Sequence, residues 1–256
     1  MNELLRTHLL RWFAKGKRYD RRALGEFRPV TVEYGVTKNA EGSARVKVGD
    51  TEVMAGVKLS VEKPYPDTPK EGNLMVGAEL LPLSSPDFEA GPPGEEAIEI
   101  ARVVDRGVRE AKTIDTRKLC LQEGDKVWSI SIDICTINSA GNLLDASALA
   151  AMAALRDAKF PTYDGKTVDY KKLTSQKLPL LRTPISVTVV KIGDYLLVDP
   201  TVEEEKVIDS RLTVAITEDN KICAMQKGGP VPISIEDVSA MIDLAHAKAA
   251  ELMKKL

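Results

Sequence analysis

Two groups of residues have the types and spacing for chemistry. The first is Arg102, Arg106 and Arg109, within Glu95–Lys112. They recur at i, i+4 and i+7, one row on a helix, while Ala97, Ile100, Ala101, Val104, Val108 and Ala111 form an apolar face. A guanidinium row can bind nucleic-acid phosphates without reading bases. Glu99, Asp105 and Glu110 stand three or four residues from these arginines, so ordinary helix-surface ion pairs account for the same pattern. The second group is acidic: Asp199, Glu203, Glu204, Glu205 and Asp209 crowd the end of a strand-like stretch. Such a cluster offers oxygen ligands for Mg²⁺ or a general acid, or else splays over a surface turn. Asn142, at the entry to an Ala-rich helix, suits either an anion site at the helix start or a plain N-cap.

Other chemistries are excluded. There is no GxxxxGK[ST] and no GxGxxG after a strand, so the phosphate loops of nucleotide-binding proteins are missing. There is no GxSxG, and with only His8 and His246 a Ser/His/Asp triad is not expected. Cys120, Cys135 and Cys223 are widely separated and read as reduced, mostly buried thiols, with neither disulfide nor metal site. Charged residues make up 29% and hydrophobic residues 43% of the chain, an ordinary globular profile with net charge −2. That charge is uneven. Residues 1–30 carry eight Lys or Arg against three acids, and residues 61–99 carry nine acids against two lysines. This polarity suits assembly with partners or a locally basic groove. No apolar run is long enough to span a bilayer and no apolar leader precedes a cleavage site, so a cytoplasmic protein with no membrane contact is expected.

The elements that must position these residues follow from pattern. Residues 2–13 read as an amphipathic helix with Leu4, Leu5, Leu9, Trp12 and Phe13 as its apolar side, ended by Gly16. The basic segment KGKRYDRRALGEFRP is either a solvated connector or an arm lying on a partner chain. Residues 30–81 read as a β-meander with a tight hairpin at Gly49-Asp50-Thr51. The loops PYPDTPKEGN and SSPDFEAGPPG deliver the chain to the arginine helix. Asp125–Ile137 reads as a central, doubly covered strand, Leu143–Lys159 as a tightly packed helix, and 161–181 as polar and irregular. Strands at ISVTVVKIGDYLLVDPT, up to Ile216 and at KICAMQKGG precede a closing helix, Ile235–Leu256. Strand runs followed by helices argue for an α+β fold with helices layered on mixed sheets.

The stretches AEGSARVKVGDTEVMAGVKLSVEKPYPDTP, ELLPLSSPDFEAGPPGEEAIEIARVVDRGVREAK, GNLLDASALAAMAAL and VDPTVEEE resemble the archaeal members of the ribonuclease PH family. Within it they are most similar to the catalytically silent subunit of the archaeal exosome core. The resemblance runs from about Arg18 to the end. It implies a ribonuclease PH-like fold of ribosomal-protein-S5-domain-2 type, with two similar βαβα lobes in one domain over 1–256: an N-terminal helix and basic arm over 1–28, a first lobe over 29–160 and a second over 184–256. It further implies a six-membered ring of three heterodimers with a catalytic ribonuclease PH-like subunit, RNA-binding cap subunits, and single-stranded RNA as substrate. The complex would degrade RNA from the 3′ end with inorganic phosphate, and add tails in reverse.

Departures from the family pattern decide the role implied for this chain. Active members hold the attacking phosphate with paired arginines after the GP-rich loop, where this chain has Glu95 and Glu96. They carry Gly then Ser or Thr before the Ala-rich helix, where this chain reads Gly141-Asn142-Leu143. A dianion needs positive charge and donors. The expectation is therefore no catalytic residue, no metal and no cofactor in this chain, phosphate and Mg²⁺ being used by the partner. Arg102, Arg106 and Arg109 are the expected RNA contacts, since arginines of this helix reach RNA beside the neighbour's active site in the silent subunit. Two alternatives stand beside this: an exoribonuclease active by itself with Asp199 or Glu205 as general acid, and an assembly scaffold without RNA contact.

Overall fold

Strict alternation builds the first sheet. In β3 (Thr51–Glu62), Val53, Ala55, Val57 and Leu59 are buried and the residues between them are half-exposed, the period of a strand with one face on a core. β2 (Gly42–Val48) joins it through a hairpin in which Val48 opposes Thr51 and Gly49 takes a left-handed φ of 58°. The computed structural model describes residues 3–256. Beyond β2 lies β1 (Val30–Tyr34), and beyond β3 lies β6 (Lys126–Asn138), with β4 (Asn73–Glu79) outside it. β5 (Cys120–Gln122) pairs with the start of β6.

β4 does not continue the meander. It runs parallel to β6, and β6 lies between it and β3. A parallel pair needs a long crossover, and α2 (Glu95–Glu110) supplies it. β6 is central as its sequence predicts, but it is covered on both sides only over Val127–Ile130; Asp133 is exposed further on.

α2 packs on β4 and against α3 (Leu143–Asp157), and α3 covers β2 and β3. The alanines of α3 let backbones approach closely. A Cβ on Gly42 would lie 2.4 Å from the Ala154 carbonyl oxygen, so only glycine fits there.

The second sheet, wholly antiparallel, has the order β10 (Tyr195–Val198), β9 (Ile185–Ile192), β11 (Ser210–Ile216), β12 (Ile222–Gly228). Ser186 and Ala215 stand toward Gly107 of α2, while Lys191, of opposite parity, pairs with Asp237 of α5 (Ile235–Met253). The helices therefore take opposite faces of this sheet. α1 (Glu3–Phe13) buries Leu9 and Phe13 in a smaller core with Val190, Ile192, Leu197 and Val207. Leu4 is exposed and Trp12 only half-buried, so the apolar side of α1 is narrower than its sequence predicts.

The segment 161–181 is not irregular. β7 (Lys159–Tyr163) and β8 (Val168–Lys177) form an antiparallel hairpin whose second strand is almost wholly exposed. A strand without a buried face leaves no hydrophobic alternation to read. α4 (Val202–Glu205) is a single turn between β10 and β11.

Candidate functional site

α2 turns Ala97, Ile100, Val103, Val104, Gly107 and Val108 inward, leaving Ala101 half-buried. Arg102, Arg106 and Arg109 are all exposed, but their freedom differs. Arg109 is held by Asp105, from Nε at 3.0 Å and Nη2 at 2.7 Å, and Nη2 also donates to the Leu74 carbonyl at 3.0 Å. Arg106 has a loose approach of 3.6 Å to Glu110. Arg102 has no carboxylate within ion-pair distance among the described residues. Its neighbour Glu99 is taken by Arg211 of β11. Arg102 and Arg106 border a groove of about 460 Å³ between α2 and β12, with Ile98, Met225 and Gln226 on its walls.

Three acids of the cluster, Asp199, Glu204 and Asp209, are turned onto arginines, while Glu203 and Glu205 are exposed on the α4 turn. Asp199 is fully buried and takes a left-handed φ of 50°, paid for by a dense set of donors. Arg28 donates to it from its backbone N (2.8 Å), Nε (2.9 Å) and Nη2 (2.6 Å), and Arg22 from Nη1 (2.7 Å). Burial works to raise the Asp199 pKa, but Arg28 and Arg22 outweigh it and hold the carboxyl below its ordinary value. A carboxylate kept ionised in this way has no proton to give as a general acid.

Arg18, with no exposure at all, binds the carbonyls of Val198 (2.8 Å) and Asp199 (2.7 Å) and pairs with Glu204. Glu204 in turn closes the capping box of Thr201. Arg6 pairs with Asp209 at 2.8 Å, and Glu203 is exposed. Arg18, Arg22 and Arg28 thus strap the basic segment to the second sheet, where the sequence offered only a solvated connector or an arm on another chain. The complementary charge of residues 1–30 and 199–209 was the signal available for this strap.

Above Asp199 opens a cleft of about 410 Å³ at the start of α3. Asn142 is the N-cap residue, but in a left-handed conformation (φ 59°) and without a side-chain cap. Its Nδ2 lies 3.1 Å from Asp145 and 3.1 Å from Asp199. Its backbone N–H, the donor an anion would use, instead donates to Glu205 Oε1 at 2.8 Å. Asp87, Glu96, Glu99 and Glu205 line the cleft against Lys206 and Arg211. Of the Glu95-Glu96 pair, only Glu96 faces it; Glu95 borders the arginine groove.

Dense protein surroundings push the Glu205 carboxyl up to about 7, with Glu96 adding and the Asn142 N–H, Arg28 and Arg211 opposing, although the residue as a whole stays exposed. Burial likewise raises Glu96. Asp145, inside α3, is pushed up to about 7 mainly by burial.

Among the described residues no group of three or more His, Cys, Asp or Glu is arranged to hold a metal ion. The three cysteines are free and half-buried, each more open than expected. No helix of the described residues is long and apolar enough to cross a membrane.

Two family models match this architecture: the 3′ exoribonuclease family, domain 1, over residues 26–161, and domain 2 of the same family over residues 182–248. The chain belongs to this family, that of ribonuclease PH. Its fold is the α+β ribonuclease PH-like one. The exosome complex component Rrp42 of Methanopyrus kandleri is 46% identical over 254 residues, 97% of this chain and 94% of that one. The protein of the same description from Methanothermobacter thermautotrophicus is 42% identical over 257 residues, 99% of this chain and 94% of its own. Among solved structures, a chain of the Archaeoglobus fulgidus exosome with RNA bound to the active site superposes with a TM-score of 0.92 at 43% identity, covering 99% of this chain and 98% of that one. Rice Rrp46, at 18% identity and a TM-score of 0.70, shares the fold.

Proposed function

We propose that this ribonuclease PH family member is a non-catalytic, RNA-binding and structural subunit of an archaeal exosome core. In this reading it alternates with a catalytic ribonuclease PH-like subunit in a cytoplasmic six-membered ring of three heterodimers that carries RNA-binding cap subunits. The ring degrades single-stranded RNA from the 3′ end by phosphorolysis and adds tails in reverse.

One observation carries the silent role: the Asn142 amide at the start of α3 is already occupied by Glu205, in a cleft with more carboxylates than cations. A phosphate dianion there would have to displace an internal carboxylate and face Glu96 and Glu99. The residues do not fit Mg²⁺ either. Asp199, Glu204 and Asp209 are spent on arginines, so phosphate and Mg²⁺ belong to the catalytic neighbour. The RNA role rests on Arg102 and Arg106, exposed and only loosely paired beside an open groove, with Arg109 as a weaker third contact. Phosphate contacts of this kind add salt-sensitive affinity without sequence preference.

The test is reconstitution. A 3′-labelled RNA in phosphate and Mg²⁺ should stay intact with this chain alone and shorten once the catalytic homologue is added. Phosphate-dependent shortening by the purified chain would favour an enzyme active by itself. Unchanged RNA affinity and degradation rate in a ring carrying Arg102→Glu and Arg106→Glu would favour a scaffold.

A further inference from the structure

The outer face of α1 is the feature that the proposed role leaves unused. While Leu9 and Phe13 anchor the helix, His8 and Trp12 stand one turn apart on its exposed side, the Trp12 Nε1 donating to His8 Nε2 at 3.2 Å. Gly16 (φ 69°) ends the helix, and the chain folds back so that Tyr19 meets both rings edge-on, with centroids 5.8 Å from His8 and 6.3 Å from Trp12. Tyr19 remains 68% exposed. The turn is fixed from below by the fully buried Arg18, so Tyr19 is held on a braced loop against the two rings of α1.

The chain around them is basic. Lys15 Nζ lies 5.3 Å from the Trp12 ring centroid, and Arg11, Lys17 and Arg21 are exposed close by in sequence. Among the described residues none of these four has a carboxylate within ion-pair distance. The nearest acid in sequence, Asp20, is taken by Arg22.

Single exposed rings need no explanation. Three in mutual contact, with one unpaired cation over Trp12 and three more close by in sequence, match what a single-stranded nucleic acid requires: π-faces for bases and positive charge for the backbone. Rings and arginines suit a protein interface as well, and lysines do not; the excess of unpaired cations favours a polyanionic chain over a protein.

We propose that the His8–Trp12–Tyr19 platform is a second contact for single-stranded RNA, separate from the α2 row. One base stacks on Trp12 in place of the Lys15 ammonium, which then turns to a phosphate together with Lys17. α1 packs on the Val190–Ile192 end of β9, whereas α2 reaches Ser186 at its other end, so one strand could engage either contact independently.

Trp12 and Trp128 are the only tryptophans, so Trp128→Phe leaves Trp12 as the sole indole reporter. Titrating this full-length variant with oligoadenylate should quench its fluorescence saturably. Lys15→Glu with Lys17→Glu should weaken that binding at least about tenfold and lower the slope of log affinity against log salt by about 1.4, at about 0.7 per phosphate. Arg102→Ala with Arg106→Ala should leave the quench in place, which separates this contact from the α2 row. Because Trp128 packs against Phe160 and Tyr163, a parallel titration uses wild-type chain and RNA containing 2-aminopurine, whose emission falls on stacking. Absence of a signal in both titrations would overturn the proposal, as would a signal indifferent to the lysine reversals. So would a platform whose Trp12 is shielded by the catalytic or cap subunits and gives no further response to RNA in the assembled complex.

Discussion

The three arginines of α2 should contribute unequally to RNA affinity, in the order Arg102, Arg106, Arg109. A phosphate contact to single-stranded nucleic acid contributes about 0.7 to the salt slope. At about 0.15 M salt that amounts to about 0.6 logarithmic units relative to 1 M, or roughly fourfold in affinity and 0.8 kcal/mol. Arg102, with no competing carboxylate, should give the full fourfold loss on Arg102→Ala. Arg106 should give nearly as much, its 3.6 Å approach to Glu110 being exposed and weak. Arg109 must first leave two bonds to Asp105 and one to Leu74, so Arg109→Ala should change affinity by less than about twofold. Asp105→Asn should free Arg109 and tighten binding by up to about fourfold. Fluorescence anisotropy with a labelled oligoadenylate at several salt concentrations reads both quantities in the reconstituted ring. A loss for Arg109→Ala equal to or larger than that for Arg102→Ala would refute the ordering, and with it the premise that internal pairing decides which arginine meets RNA.

Three further outcomes follow from the buried polar network. Asp145 keeps its proton in the folded state up to about pH 7 but releases it near 3.8 when unfolded, so folding stability falls as pH rises through that window. Asp145→Asn, which cannot ionise, should therefore gain on the wild type by about 3 kcal/mol between pH 5 and pH 8.5 in urea unfolding; an equal difference at both pH values would contradict this. Arg28→Ala should cost about 3–5 kcal/mol, because it leaves the buried Asp199 with Arg22 as its only charged partner among the described residues, and a melting temperature within a degree of wild type would be evidence against the strap. Gly141→Ala should destabilise by roughly 1–3 kcal/mol in the same assay, since φ is 92° and the added Cβ would fall 2.4 Å from the Pro200 carbonyl oxygen.

What the sequence discloses is periodicity. The alternation in β3, the 3.6-residue spacing of α2 and the alanine density of α3 each report a local pattern facing one core, and each lies where it was expected. The strand β8 has no buried face to imprint a pattern, and the parallel pairing of β4 with β6 is decided by a crossover rather than by either strand. The site divides in the same way. The arginine row is local and legible; the grip on Arg109 through Leu74, 35 residues away, is not. Glu95 and Glu96 look in sequence like the decisive reversal of charge, yet only Glu96 reaches the cleft. The step that fills the helix terminus is the bond from Asn142 to Glu205, across 63 residues. Losing paired arginines would leave an anion site weak, whereas an internal carboxylate on the same amide makes it unavailable, and that second condition lies in tertiary structure alone. On the proposed reading, a chain of this family gives up phosphate chemistry by keeping the helix and supplying its own anion, with the arginines displayed on α2 left for a substrate held by a neighbour.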